Sequence, residues 1–319
     1  MVKGHNIADL ERRALAAVAR ACPPTVPAAV AVSGGVDSLT LAEALRRLGR
    51  APLCLHVNHG WRGRASDGDE QFVRAWCRAR GLALTVKRLP ARTPRTEAAA
   101  RAARLTFFRQ ALRRRKLRSL LLAHHADDLV ETFFLQLLRG AGPAGLAALT
   151  VRRELDGVEM VRPLLAFTKR ELERLARHWR LTWREDATNG SEDYLRNRVR
   201  RRLLPYLRKL SGRDPLPVVR RAAQILADEN VHWQRELPSV WPAALTVRLC
   251  AGHSVAWQRR ALRAWLASRG VTDADFAQIE AVRGLLTDPK PSRVNLSRDR
   301  HCQRRAGRLF IVSPSNHGA

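Results

Sequence analysis

Short apolar runs punctuate the first half of the chain, separated by stretches whose apolar positions return every three or four residues. The runs are Ala28-Ala29-Val30-Ala31-Val32, Leu53-Cys54-Leu55-His56-Val57, Leu82-Ala83-Leu84-Thr85-Val86 and Leu120-Leu121-Leu122-Ala123. Each reads as a buried strand, while residues 69–80 and 97–115 carry helical spacing. Strands alternating with helices predict an α/β fold, a parallel sheet covered by helices on both faces. In such sheets ligands bind beyond the carboxyl ends of the strands, where residues 33–38, 56–60 and 124–128 fall. From about Asp214 the pattern changes. Pro215 and Pro217 open a long helical stretch over 218–236, followed by 257–268 and by strand-like pieces at 293–296 and 309–312. A boundary near residues 205–217 is expected, dividing the chain into a domain over 1–210 and a smaller, helix-rich one over 211–319.

Charge changes this picture more than size does. Of 319 residues, 58 are Lys or Arg and 29 Asp or Glu, a formal net charge of +29. With only six lysines the chain has the arginine bias of a GC-rich genome, but that bias does not set the excess of basic over acidic residues. A polyanionic partner, nucleic acid, accounts for the excess. Cys22, Cys54, Cys77, Cys250 and Cys302 are scattered with no Cys-x-x-Cys pair. That spacing argues against structural zinc, an iron–sulfur cluster and a disulfide framework, and suits a reducing compartment. The opening residues lack the apolar core of a signal peptide, and no apolar run reaches the roughly 18 residues of a membrane span. A cytoplasmic location away from membranes is expected.

Three clusters carry chemistry. Ser33-Gly34-Gly35-Val36-Asp37-Ser38 lies between the first strand and a helix start. Its glycines let the backbone turn and approach an anion, while hydroxyls and the free N–H groups of the helix point at it. The spacing and the missing lysine distinguish it from a Walker loop. An aspartate beside phosphates suits a metal or nucleotide orientation; an ordinary tight turn with Asp37 and Ser38 in the first helical turn is the competing reading. Next, His56-Val57-Asn58-His59-Gly60 ends the second strand and could meet an adenine or ribose edge, although such residues are common in loops. The third, His124-His125-Ala126-Asp127-Asp128 through Glu131-Thr132, spaces His124, Asp128 and Glu131 to share one helical face. Metal ligation, a pocket for a cationic substrate and helix capping all remain open for it. Arg101, Arg104 and Arg109 follow one helix, Arg139 opens a glycine-rich loop, and Arg196-Asn197-Arg198-Val199-Arg200-Arg201-Arg202 is the densest basic run. Such runs are often solvated faces, but spread over several elements they form a surface for a folded RNA.

The first loop resembles that of the N-type ATP pyrophosphatases, which split ATP between the α and β phosphates. Taken in order, the clusters resemble the tRNA(Ile)-lysidine synthetase family. The resemblance continues through Glu97 with Arg101 and Arg104, Arg139-Gly140, Arg162-Pro163-Leu164-Leu165, Trp183-Arg184-Glu185-Asp186 with Asn189, and Arg196-Asn197 with Arg200 and Pro205. It spans roughly residues 28–207, and the stretch from Arg259 to Leu266 is similar to the family's second domain more loosely. Leu105 stands where the family usually has Tyr, and Ala123 where it has Gly. The length matches a short form lacking a further C-terminal domain.

The resemblance implies a two-step ligation. ATP adenylates the wobble cytidine of a CAU-anticodon isoleucine tRNA, releasing pyrophosphate, and the ε-amine of free L-lysine then displaces AMP to form lysidine. It further implies that Ser33, Gly34, Gly35, Val36, Asp37, Ser38 and His56 bind ATP, with Asp37 on Mg2+. His124, Asp128 and Glu131 would bind lysine, Asp37, Arg104, Asp128 and Glu131 would be catalytic, and Arg139, Arg196, Asn197 and Arg200 would bind tRNA. Short members of the family are compatible with a homodimer. The rival expectations are a tRNA thiolase with the same loop, for which the chain lacks paired cysteines, and a non-catalytic RNA-binding protein, which leaves Asp37, Asp128 and Glu131 without a reason.

Overall fold

The computed structural model describes residues 6–61, 63–90, 92–94, 96–147, 149–155, 157–185, 195–290, 292–296 and 299–313. They fall into two compact units, Met1–Asn230 and Val231–Ala319. The division lies inside one helix, Pro215–Glu236. No described helix is long and apolar enough to cross a membrane.

The first unit is built on a six-stranded sheet of β1 (Ala28–Ala31), β2 (Leu53–Asn58), β3 (Leu84–Arg88), β4 (Ser119–Leu121), β5 (Arg152–Leu155) and β6 (Val158–Val161), ordered β3-β2-β1-β4-β6-β5. All neighbours are parallel except the β5–β6 hairpin. The third strand begins two residues later than its apolar run, because Leu82 packs into the core as the chain enters the sheet. Side chains alternate across the sheet as the pleat requires. Val30, Cys54, Leu121 and Val161 face one layer with α1 (Ile7–Ala21), α2 (Val36–Arg47), α3 (Arg64–Arg78) and α7 (Lys169–His178). Their neighbours Ala29, Leu53, Leu55, Leu120 and Met160 face the opposite layer, where Phe107, Phe108, Ala111 and Leu112 of α4 (Glu97–Arg114) close over them. The expected α/β architecture, helices on both faces of a mostly parallel sheet, is therefore present.

Helix α5 (Ala126–Leu138) follows β4, and α6 (Pro143–Leu146) leads into the hairpin. The basic run forms α8 (Leu195–Arg198), a π-helical turn over Val199–Leu203 and α9 (Leu204–Ser211). Pro205 has no N–H to return to the carbonyl of Arg201, which favours a widened turn just before it. Helix α10 (Pro215–Glu236) comes next.

In the second unit, α11 (Val247–Ala251), α12 (Val255–Ser268) and α13 (Phe276–Thr287) pack on an antiparallel sheet. Its strands are β7 (Leu245–Thr246), β8 (Arg293–Asn295), β9 (His301–Arg305) and β10 (Arg308–Val312), ordered β7-β10-β9-β8. Trp265 is fully buried at its centre, donating its indole N–H to the Pro242 carbonyl at 3.0 Å.

Leu120 sits in the middle of β4 with no exposed surface, beneath α4. Leu120→Ala is expected to destabilise the first unit by about 2–5 kcal/mol through lost burial and a residual cavity. Urea unfolding monitored by far-UV circular dichroism measures it; a change below 1 kcal/mol would mean that this layer is not close-packed.

Candidate active site

The loop from Ser33 to Ser38 is bridged end to end by the Ser38 hydroxyl. Ser38 Oγ accepts from the Ser33 N–H at 3.1 Å, donates to the Gly35 carbonyl at 3.0 Å, and lies 3.1 Å from Ser33 Oγ. Ser33 Oγ also accepts from the Gly35 N–H at 3.2 Å. Gly34 carries φ of +94°, and a Cβ there would lie 3.3 Å from Val73 Cγ2. Gly35 is the N-cap of α2 and offers no side chain, so the first N–H groups of that helix are left for an anion.

Facing this loop, the first turn of α5 brings two acids, Asp127 and Asp128, around one imidazole that Asp37 of α2 also approaches. His125 is the N-cap, its backbone N–H bonded to Asp128 Oδ2 at 3.0 Å. Its buried ring places Nε2 3.7 Å from Asp37 Oδ2 and 3.5 Å from Asp128 Oδ2, with Nδ1 3.4 Å from Asp127 Oδ2. Burial works against the imidazolium, but Asp127, Asp128 and Asp37 outweigh it and raise the His125 pKa. Burial likewise raises that of Asp37, against the pull of His125 and Lys169. Asp127 Oδ2 accepts the backbone N–H of Lys169 at 2.9 Å, fastening the start of α7 beside the loop. Asp37 Oδ1 is buried without a hydrogen-bond partner. Such an oxygen fits a divalent cation shared with substrate phosphates, the usual arrangement for Mg2+.

A cleft of about 450 Å³ opens here, lined by residues 33–37 together with His125, Asp128, Lys169, Arg184 and Arg200. Lys169 of α7 thus lines the cleft under a loop that has no lysine of its own. A second cleft of about 350 Å³ adjoins it through the shared residues Ser33 and Asp69, and is lined by His56, Asn58, Arg104 and Phe108 among others. His56 Nδ1 contacts the Val32 carbonyl at 2.8 Å, and its Nε2 is buried without a partner. Burial lowers the His56 pKa and favours the neutral ring. Asn58 braces the loop after β2, accepting from the Gly60 N–H at 2.9 Å and donating to Glu70 at 2.9 Å and Asp67 at 3.1 Å.

One expectation is corrected, and one of the readings left open is not supported. Helix α5 starts at Ala126, so His124 precedes the helix and does not share a face with Asp128 and Glu131. Nor do these three form a metal centre: no group of three or more His, Cys, Asp or Glu among the described residues is arranged to hold an ion. Glu131 is fully buried and clamps Arg200, with Oε1 2.5 Å from Nε and Oε2 3.1 Å from Nη2, while Arg196 Nε lies 3.6 Å from Oε2. Burial raises the Glu131 pKa despite Arg200. Glu131, His124 and Arg139 line neither cleft; Arg139 is exposed at the C-cap of α5, and Asn197 is buried on α8. Asp186 and Asn189 lie outside the described residues. His125 was named in the third cluster without a role, and Lys169 was passed over in the sequence. The position of His125, just ahead of an acidic first turn, is the signal for it; Lys169 has none, since only packing brings α7 to the loop.

Gly34→Ala places a Cβ in a left-handed conformation that costs about 1–2 kcal/mol, and presses it on Val73. Affinity for a non-hydrolysable ATP analogue is expected to drop at least about tenfold by calorimetry, and unchanged affinity would show that nucleotide does not use this turn. Glu70, side chain 3% exposed, is held by Asn58, Arg88 and Arg74, which overcome burial and lower its pKa from 4.5 to about 2. A depressed carboxylate stabilises the fold above its unfolded pKa, so this contribution is complete above pH 4.5 and is lost as pH falls towards 2. Glu70→Gln should flatten the acid limb of the stability curve between those limits; an unaltered limb would rule out the linkage.

Residues 9–207 match the PP-loop domain family and residues 247–310 the TilS substrate binding domain family. Over 304 residues the chain is 36% identical to a tRNA(Ile)-lysidine synthase of Gloeobacter violaceus, covering 91% of this chain and 92% of that one. Proteins of the same description from Exiguobacterium sibiricum and Solibacter usitatus are 40% and 33% identical over 59% and 82% of this chain. The chain spans 45% and 61% of their lengths, about half of each. Among solved structures, a U34-tRNA thiolase from Methanococcus maripaludis shares the fold over 69% of this chain and 80% of its own, with a TM-score of 0.56 and 18% identity. Matched by the PP-loop family over more than half its residues, and by one relative over nearly the full length of both, the chain belongs to the tRNA(Ile)-lysidine synthase family of PP-loop proteins.

Proposed function

We propose that the chain catalyses the ATP-dependent attachment of free L-lysine to the wobble cytidine of a CAU-anticodon isoleucine tRNA, as a cytoplasmic enzyme. Residues 1–210 would carry the chemistry and residues 211–319 would contact the tRNA. The observation that carries this reading is the pair of adjoining clefts: a polar one under the glycine loop, sized for a polyphosphate, and a less polar one ending at His56 and Arg104. Together they accommodate a nucleotide stretched across Ser33, with Asp128 at the open side for a cationic co-substrate.

In this reading the α2 N–H groups and the Ser33 hydroxyl bind phosphate oxygens, and Lys169, Arg184 and Arg200 neutralise them. Mg2+ held by Asp37 would offset the negative charge that grows on the leaving pyrophosphate. Arg104 stabilises the charge developing where the cytidine carbonyl oxygen attacks the α phosphate. The lysine ammonium, ordinarily near pKa 10.4, must lose a proton before its ε-nitrogen attacks the adenylated carbon. Asp128 attracts the ammonium and accepts that proton, directly or through water. Glu131 acts from behind, through the two arginines it holds. The five cysteines are all buried and line neither cleft, so no observation here favours sulfur transfer.

The deciding assay supplies radiolabelled lysine, ATP and CAU-anticodon transcripts of isoleucine and methionine tRNAs. Label is expected only in the isoleucine transcript, with one pyrophosphate released per lysine attached. Asp128→Asn keeps an acceptor for the His125 N–H but removes the charge, and lysine attachment should drop about 10²–10⁴-fold. An Asp128→Asn enzyme with undiminished attachment would exclude this carboxylate as the base.

A further inference from the structure

The second unit exposes an aromatic ring that neither its core nor its helix caps require. Phe276 opens α13 and is 62% exposed. That helix start is complete without it. Asp275 Oδ1 accepts from the Gln278 N–H at 2.8 Å and Gln278 Oε1 from the Asp275 N–H at 3.0 Å, a closed capping box. Ala274 before the cap and Ile279 in the first turn are both buried in the core of this unit, and their spacing supplies the apolar pair that fixes the entry of a helix. Phe276 is left facing solvent.

A guanidinium is fixed against that ring. Arg259 of α12 holds its Cζ 5.2 Å from the Phe276 centroid, within the reach of a cation–π contact. Glu280, one turn along α13, accepts from Arg259 Nε at 2.7 Å, and from Arg283 Nη2 at 2.9 Å and Nε at 3.2 Å. One carboxylate thus orients two arginines, and their hydrogen bonds hold its pKa down from 4.5 to about 2. Phe276, Glu280 and Arg283 follow the i, i+4, i+7 spacing of one helical face. The bond from Arg259 engages Nε, so both amino groups of its fork remain as donors. Arg263, one turn further along α12, is exposed.

The geometry points to Phe276, with Arg259 beside it, as a stacking platform for an unpaired base of the substrate tRNA, the flanking phosphates lying on Arg259, Arg263 and Arg283. The inference rests on the ligase reading above and names a contact within the residues which that reading gives to the tRNA. RNA suits this surface better than a protein partner does. Over residues 231–319 basic residues outnumber acidic ones by more than two to one. A single exposed ring among fixed cations offers too little apolar area for a protein interface, whereas one ring is what one base covers. Stacking reads no hydrogen-bond pattern, so the platform positions the RNA without reading its sequence.

The test measures binding of a CAU-anticodon isoleucine tRNA transcript to the full chain by filter retention over a range of salt concentrations, beside the lysine ligation assay. Phe276→Leu keeps an apolar side chain but removes the aromatic face. Its Kd for the transcript should rise about 5–100-fold, the worth of one stacked base, and the KM for tRNA should rise with it. The slope of log Kd against log salt should stay at the wild-type value, because no phosphate contact is lost. Phe276→Tyr, which keeps the face, should bind within about threefold of the wild type. Arg283→Gln should instead lower the salt slope by about one. Wild-type affinity in Phe276→Leu would overturn the platform, as would equal losses in the Leu and Tyr variants, which would mark a packing role. Self-association of the chain that Phe276→Leu abolishes while RNA affinity stands would assign the ring to a protein contact and also overturn it. In each of these cases lysine attachment by the wild-type protein leaves the ligase reading intact. A wild-type protein that neither binds the transcript nor attaches lysine would remove that reading, and the platform with it.

Discussion

One serine hydroxyl ties the centre of this molecule together. Ser38 Oγ bonds to the Ser33 N–H on one side and the Gly35 carbonyl on the other, joining the end of the innermost strand to the first turn of the helix behind it. The chain must turn sharply between those points, which is why Gly34 adopts φ of +94° against Val73. Around that turn the carboxyl ends of β1, β2 and β4 come into register, and with them His56 and Asn58 at the end of β2 and His125 at the start of α5. The Arg184 N–H closes the ring from a distant segment by donating to the Gly34 carbonyl at 3.0 Å.

Electrostatics sets the second constraint. A chain of +29 must keep its arginines from repelling one another, and it does so with a few buried carboxylates that each orient several of them. Glu43 holds Arg46, Arg47 and Arg80; Glu70 holds Arg74 and Arg88; Glu131 holds Arg196 and Arg200. In all three the acid is buried and the arginines reach outward, so desolvation falls on one side chain while several cations are positioned. Breaking such a group strands charge in the interior, which makes it more costly to disturb than an exposed pair.

The alternation of strand and helix patterns was legible because the central strands β1, β2 and β4 are buried on both faces, so their apolar runs map directly onto layers. The β5–β6 hairpin escaped notice because β5, Arg152–Leu155, lies at the sheet edge and carries mostly charged, solvated residues. Four-residue elements with no burial contrast leave no periodic trace. The glycine loop was equally legible, since its turn is made by contiguous residues. His124 was misplaced by one turn of reasoning: the spacing 124, 128, 131 fits a helix, but capping starts the helix at Ala126 and turns His125 inward instead.

What the order of residues determined was the set of local parts: the strands, the anion-binding turn, the acidic helix start and the excess of arginine. These depend on backbone conformation and burial over a few neighbouring positions. Which parts meet was decided only in three dimensions. Lys169 reaches the cleft under the glycine loop through a bond between its backbone and Asp127, 42 residues earlier in the chain, and Glu131 is claimed by Arg200, 69 residues later. Such pairings arise from the packing of whole helices on the sheet, and no local pattern encodes which charge will be left without a partner.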